Sequence, residues 1–162
     1  TSLMTRNEGP WFYQQLDLGY NYRMTDIQCA LGCSQMKKLD YFLARRRAIV
    51  ARYNEAFADC RNIVTPYQMP DTNSGWHLYI IQVKNRDRKE VFEKLRERGI
   101  GVNVHYIPVY EHPYYQEHGY KGVHCPVAEE VYSHIISLPV FPRLTEEQQE
   151  EVIRVVKQEV EE

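Results

Sequence analysis

"LDLGYNYRMTDIQCALGCSQMKKLD" occupies residues 16–40, and the way it divides decides how the chain is organised. Its first part crowds Gly19, Asn21 and Arg23 among Tyr20 and Tyr22 without any periodicity. Glycine admits a sharp turn, asparagine donates an amide proton or tolerates a left-handed backbone, and arginine offers a planar fork suited to phosphate or carboxylate. From Thr25 onward the pattern changes. Thr25 is a favourable N-cap and Gln28 falls at N3, which together make a capping box for a helix beginning near Asp26. The residues admit two readings of the GYNYR block: an anion site that adds the free N–H groups of the helix start, which Asp26 would oppose, or ordinary capping with a structural salt bridge.

Toward the C-terminus, Ile27, Leu31, Leu39, Phe42, Leu43, Ile49, Val50, Tyr53 and Phe57 recur mostly at helical spacing up to about Asp59. Helical spacing over residues 25–59 is long for one globular helix, so this connecting run is expected to kink or to bridge two regions of a larger protein. Lys38, Arg45 and Arg52 fall seven apart on one side of it, as a solvated face or a phosphate-contacting one. Toward the N-terminus, residues 1–24 carry Gly9, Pro10 and Gly19 and read as looped or extended chain that needs other protein to pack against.

After Pro66 and Pro70, "WHLYIIQV" (76–83) reads as a strand, and Trp76 as a core residue. Asp87 and Glu90 then cap a helix carrying Val91, Phe92 and Leu95, which Gly99 stops. "IGVNVHY" (100–106) alternates, with Ile100, Val102 and Val104 on one face and Gly101, Asn103 and His105 on the other, and is predicted as a half-buried strand. Between Ile107 and Pro126 lies a polar, aromatic-rich excursion, long enough to be a candidate functional loop. Ala128, Val131, Tyr132 and Ile135 predict a short helix, "IISLPVF" (135–141) a brief strand, and Thr145 with Gln148 the cap of a last helix with Val152, Val156 and Val160 inward. Residues 60–162 therefore predict a small α/β domain of about three strands and three helices.

His105, Tyr106 and Tyr110 sit at the exit of the 100–106 strand. A histidine there could hydrogen-bond a ligand hydroxyl or carbonyl or move a proton, or it could simply orient the following loop. His112, His118 and His124 flank the excursion without an acidic partner at metal spacing, and neither Cys29 nor Cys33 has a histidine at zinc-ligand spacing, so no metal site is expected. Cys29, Cys33, Cys60 and Cys125 are too sparse for a disulfide framework and read as buried thiols.

Within 162 residues, 20 Lys and Arg oppose 22 Asp and Glu for a formal charge of −2, which gives no total in favour of a polyanion partner. A nucleic-acid role through Lys37, Lys38, Arg45, Arg46, Arg47 and Arg52 would lack aromatic interleaving, so neither nucleic acid nor membrane is expected as a partner. No apolar run approaches a membrane span, and the start has neither the basic end nor the apolar core of a signal peptide, which makes the cytoplasm the expected location. The absent initiator Met and the loop-like start suggest that the natural beginning lies upstream.

"LGYNYRMTDIQCALGCSQMKKLD...RRRAIVARYNEAF", "GIGVNVHYIPVYEHPYY" and "ISLPVFPRLTEEQQEEV", in that order and spacing, resemble the C-terminal half of the DegT/DnrJ/EryC1/StrS family of pyridoxal-phosphate (PLP)-dependent sugar-nucleotide aminotransferases. The resemblance implies the C-terminal portion of a fold type I aminotransferase, working as a homodimer with sites at the subunit boundary. It implies cofactor-phosphate contacts for Asn21 and Arg23, reaching across the dimer, and sugar-nucleotide contacts for His105 and Tyr106, with Tyr110 a weaker member. It also implies that the lysine carrying the cofactor lies upstream of GYNYR. Lys37 and Lys38 are no substitutes, since both fall inside the helix after the block.

In activity, the resemblance implies a PLP enzyme that passes an amino group from glutamate to a 4-keto-6-deoxy nucleotide sugar, with UDP the expected carrier, for surface polysaccharide or glycan synthesis. The 162 residues by themselves are expected to hold no catalytic residue, to bind no PLP and to be inactive. A dehydratase-like member of the family, and a non-catalytic assembly or ligand-binding module of the same fold, are the alternatives.

Overall fold

The computed structural model describes Pro10 and residues 14–161, in two compact units that divide between Lys37 and Lys38. The predicted contents of residues 1–9 and 11–13 lie outside the described residues.

In the first unit, residues 14–24 form no regular element, and helix α1 (Asp26–Met36) follows. The capping box is present: the Thr25 N–H donates to Gln28 Oε1 at 2.8 Å, and the Gln28 N–H donates to Thr25 Oγ1 at 3.3 Å. α1 buries none of its residues. This corrects the expectation of buried thiols, because Cys29, Cys33 and Cys125 are exposed and Cys60 is half-buried. Helical periodicity marks an apolar face, but burial needs a covering partner, and α1 has none among the described residues. The helical run over 25–59, expected to kink or to bridge, breaks at Lys37 and Lys38, and α2 (Leu39–Phe57) is a separate helix.

The second unit builds its core from α2 and a small antiparallel sheet ordered β1-β2-β3. β1 is Ile63–Val64, β2 Tyr79–Val83 and β3 Ile135–Leu138. Helices α3 (Arg88–Glu97), α5 (Pro126–His134) and α6 (Glu146–Glu161), with the single turn α4 (Pro113–Tyr115), complete it. Tyr79, Ile81 and Val83 alternate inward from β2 and meet Ile49, Tyr53, Phe57, Leu95, Val155 and Val156 in one apolar cluster. α3 ends as expected, with Gly99 in the left-handed region at φ 82°, which the missing Cβ makes inexpensive.

The predicted count of three strands holds, but the strands differ. β1 is not among the predicted ones, and residues 100–106 do not form a strand. Only Asn103 pairs with β3, through Asn103 N–H to Ser137 O (3.3 Å) and Ser137 N–H to Asn103 O (2.7 Å). The next rung would set Gly101 opposite Pro139, which has no N–H to donate and whose carbonyl accepts the Tyr53 hydroxyl at 3.0 Å, so the ladder stops at Asn103. The expected facial alternation holds from Ile100 to Asn103, with Ile100 and Val102 buried and Gly101 and Asn103 exposed, and ends there, since Val104 and His105 are both half-buried.

Arginines on α2 fasten this layer. Arg46 Nη1 donates to the carbonyls of Trp76 (3.0 Å), His77 (3.2 Å) and Val140 (3.2 Å). Arg45 Nη2 donates to Leu144 O at 3.1 Å, and Arg52 reaches both Glu146 O and Glu150. Trp76 packs on the core cluster, as predicted, with a backbone φ of 47°. Arg46→Met should therefore destabilise the fold by about 1.5–3 kcal/mol, since carbonyls lose charge-assisted donors. Arg47→Met, which removes only the exposed bond to Asn73, should stay within about 0.5 kcal/mol. Urea unfolding midpoints of the two variants compare them directly.

Candidate functional site

The Asn103–Ser137 bridge determines where His105 goes. In an antiparallel pair, side chains two residues apart share a face, so Ser137 on β3 and His105 project from the same side. Ser137 is 4% exposed, and its Oγ lies 2.8 Å from His105 Nδ1. Tyr106 follows across a cis peptide bond, 69% exposed, with its ring edge-on to the imidazole at 4.5 Å between centroids. His105 is thus anchored to the sheet, and Tyr106 beside it is exposed.

Tyr110 is held elsewhere. Its hydroxyl donates to Glu129 Oε1 at 3.0 Å, and the same carboxylate oxygen accepts the Cys125 N–H at 2.9 Å and lies 3.5 Å from His124 Nδ1. Glu129 belongs to the first turns of α5, and these contacts tie both ends of the 107–125 excursion to that helix. Between them the chain passes a short 3-10 turn at Val109–Glu111, then α4, and bends at Gly119. Gln116 Nε2 donates to the Tyr110 carbonyl and packs the interior of the loop. Among the described residues no group of three or more His, Cys, Asp or Glu could hold a metal ion.

In the first unit, Asn21 and Arg23 are exposed, and among the described residues neither side chain makes a hydrogen bond or ion pair. Tyr20 and Tyr22, on either side of Asn21, stack at 5.2 Å. Among the described residues, the salt bridge offered as the structural explanation of Arg23 is not formed. An amide and a guanidinium with all their donors available are a chemically suitable set for a phosphate dianion.

A family model, described as the DegT/DnrJ/EryC1/StrS aminotransferase family, matches residues 3–157. The chain belongs to that family. The DegT/DnrJ/EryC1/StrS chain is 38% identical over 157 residues to the spore coat polysaccharide biosynthesis protein SpsC of Bacillus subtilis, covering 93% of this chain and 40% of that protein. Helicobacter pylori PseC, an aminotransferase involved in the biosynthesis of pseudoaminic acid, superposes with a TM-score of 0.85 at 28% identity, covering 96% of this chain and 42% of that one. A Streptococcus pneumoniae protein solved in its PLP form superposes with a TM-score of 0.84 at 31% identity, over 93% of this chain and 39% of that one. The chain spans about 40% of the length of the relatives it matches. Its fold is that of the C-terminal portion of a fold type I PLP-dependent aminotransferase, as expected.

Two residues that organise this DegT/DnrJ/EryC1/StrS chain's candidate site escape the reading of its sequence. Ser137 sits there as one member of an apolar strand, although a lone hydroxyl inside "IISLPVF" is itself a signal that something polar must meet it. Glu129 is hidden in the polar side of a short helix. The Cys125 N–H, then the Tyr110 hydroxyl, with His124 nearby, hold the Glu129 carboxyl below the usual glutamate value. Burial, then the bond to Glu129, pushes the Tyr110 phenol up to about 12. Both shifts favour the bonded pair of ionised Glu129 and protonated Tyr110. The lowered carboxyl contributes fully above the ordinary glutamate pKa of about 4.3 and fades as pH falls below it; the raised phenol contributes fully below about 10 and fades as pH climbs toward 12. In a His124→Gln background the ring resonances of Tyr110 should hence stay constant between about pH 5 and pH 9 and move outside that window. Glu129→Gln should make the acid-side movement disappear.

Proposed function

We propose that this chain is the C-terminal part of a PLP-dependent sugar-nucleotide aminotransferase that passes an amino group from glutamate to a 4-keto-6-deoxy sugar carried on a nucleotide, with UDP the favoured carrier. The family match over residues 3–157 carries this reading, because it includes both the GYNYR block and the His105–Tyr106 pair. In this proposal Asn21 and Arg23 bind the cofactor phosphate of a partner protomer in a homodimer. Bound PLP supplies the electron sink that lets an amino group leave one carbon and arrive at another. His105 and Tyr106 orient the sugar nucleotide, and the Glu129–Tyr110 contact keeps the 107–125 loop at the edge of that pocket.

The chemistry of these side chains agrees with that division of labour. A guanidinium binds a dianion in a fork of parallel N–H bonds, which an ammonium cannot reproduce. A half-buried imidazole beside an exposed phenol offers directed hydrogen bonds and an aromatic face, which suits a hydroxylated ring better than a bare anion. The finer assignment proposed is the UDP-4-amino-4,6-dideoxy-N-acetyl-β-L-altrosamine transaminase of pseudaminic acid synthesis. Support for it comes from the similarity to H. pylori PseC.

The test is glutamate-dependent amination of a UDP-linked 4-keto-6-deoxy sugar by the full-length protein, followed by mass spectrometry of the product. Arg23→Ala should weaken PLP binding by about tenfold or more, read by cofactor absorbance during dialysis. His105→Ala should raise KM for the sugar nucleotide by about three- to tenfold while leaving PLP affinity unchanged. Loss of PLP affinity in His105→Ala, or its retention in Arg23→Ala, would overturn the assignment of roles. Release of water from the sugar without amination would replace transamination by the dehydratase-like reading.

A further inference from the structure

The Ser137 hydroxyl is buried, and a buried hydroxyl must place its proton on an acceptor. Both backbone groups of Ser137 are already engaged by Asn103, and the one side-chain partner of Oγ among the described residues is His105 Nδ1 at 2.8 Å. Were Nδ1 to carry the proton and donate to Oγ, the serine proton would have no acceptor there and would remain unsatisfied at a site 4% exposed. Satisfaction runs the other way: the serine O–H donates, Nδ1 accepts, and the ring proton resides on Nε2.

We infer that Ser137 is a positioning residue that fixes neutral His105 as its Nε2–H tautomer, so that the imidazole presents a hydrogen-bond donor, not an acceptor, to an oxygen of the ligand. The functional part of this inference rests on the proposed sugar-nucleotide role of His105. It deepens that role by naming the atoms recognised: a carbonyl, a hydroxyl lone pair or a phosphate oxygen fits opposite Nε2–H, whereas a donor such as an ammonium does not. The arrangement is fixed before any ligand arrives. Ser137 is held in register by β2 on one side, opposite Ile80, and by Asn103 on the other, and Tyr106 packs edge-on against the same ring. The imidazole therefore has its orientation set by the sheet and its tautomer set by one hydroxyl.

Heteronuclear NMR of the protein with isotope-labelled histidine reads the tautomer directly, because the chemical shifts of protonated and unprotonated ring nitrogens are well separated. At a pH where the ring is neutral, His105 should show an unprotonated Nδ1 and a protonated Nε2. Ser137→Ala, a small change that leaves the backbone bridge intact, should collapse this into the averaged pattern of an unrestrained imidazole, and Ser137→Thr, which keeps the hydroxyl, should restore it. Backbone amide spectra verify that each variant is folded. A protonated Nδ1 in the unaltered protein, or a pattern that Ser137→Ala does not change, overturns the inference even if the protein transaminates normally. Conversely, an Nε2–H ring in a protein whose sugar-nucleotide KM ignores His105→Ala removes the ligand role from His105 while sustaining the effect of Ser137 on the ring.

Discussion

The second unit depends on the register of β2 against β3. Tyr79 faces Leu138 and Ile81 faces Ile136 on the core side, which leaves Ile80 opposite Ser137 and Gln82 opposite Ile135 on the other. A slip of one residue would turn Ser137 into the apolar cluster and Leu138 out of it, so burial of Tyr79, Ile81, Ile136 and Leu138 enforces the pairing strongly. Everything placed on the outer face inherits that precision. Asn103 attaches to the free side of β3 at the one position where Ser137 offers both backbone groups, and His105 is delivered two residues later.

Around this sheet, the long-range fastening is done by guanidinium and amide groups bonded to carbonyls. Arg45, Arg46 and Arg52 on α2 reach main-chain oxygens about a hundred or fewer residues away, and buried Gln149 on α6 returns the contact by donating to Ile49 O at 2.8 Å. Carbonyls near the ends of β3 and before α6 have no ladder or helix partner of their own, and the arginine fork supplies several donors from one side chain. A basic stripe that looks in sequence like a solvated or phosphate-contacting face is in large part internal wiring. Asn21 and Arg23, whose side chains find no partner among the described residues, are two of the residues for which a ligand is proposed.

Local chemistry was legible wherever the signal was short in range. The capping box at Thr25–Gln28, its repeat at Thr145–Gln148, the Asp87 cap and the Gly99 stop all form as predicted, because each is decided within a turn of chain. Strand β2 and the short β3 follow from alternation and β-branched content. The 100–106 segment had the right alternation as far as Asn103 but not the ladder. Alternation records which side is buried, while strand pairing requires backbone donors on both chains, and Pro139 opposite Gly101 has none. The periodicity of Ile27 and Leu31 likewise marked a face that α1 leaves exposed, since periodicity names what is to be covered and not what covers it.

By itself the sequence determined the helix caps at Thr25, Asp87 and Thr145 and the stop at Gly99, the α/β class, the family and the GYNYR and His105–Tyr106 blocks as places to look, because caps, spacing and motif order are properties of neighbouring residues. Only the tertiary structure decided that Ser137 stands behind His105, that Glu129 gathers Tyr110, Cys125 and His124, and that Arg45 and Arg46 of α2 turn inward. Those pairings join residues from separate elements, and no local pattern encodes them. They are settled by which face of each element the core buries and by the need of every buried donor to find an acceptor.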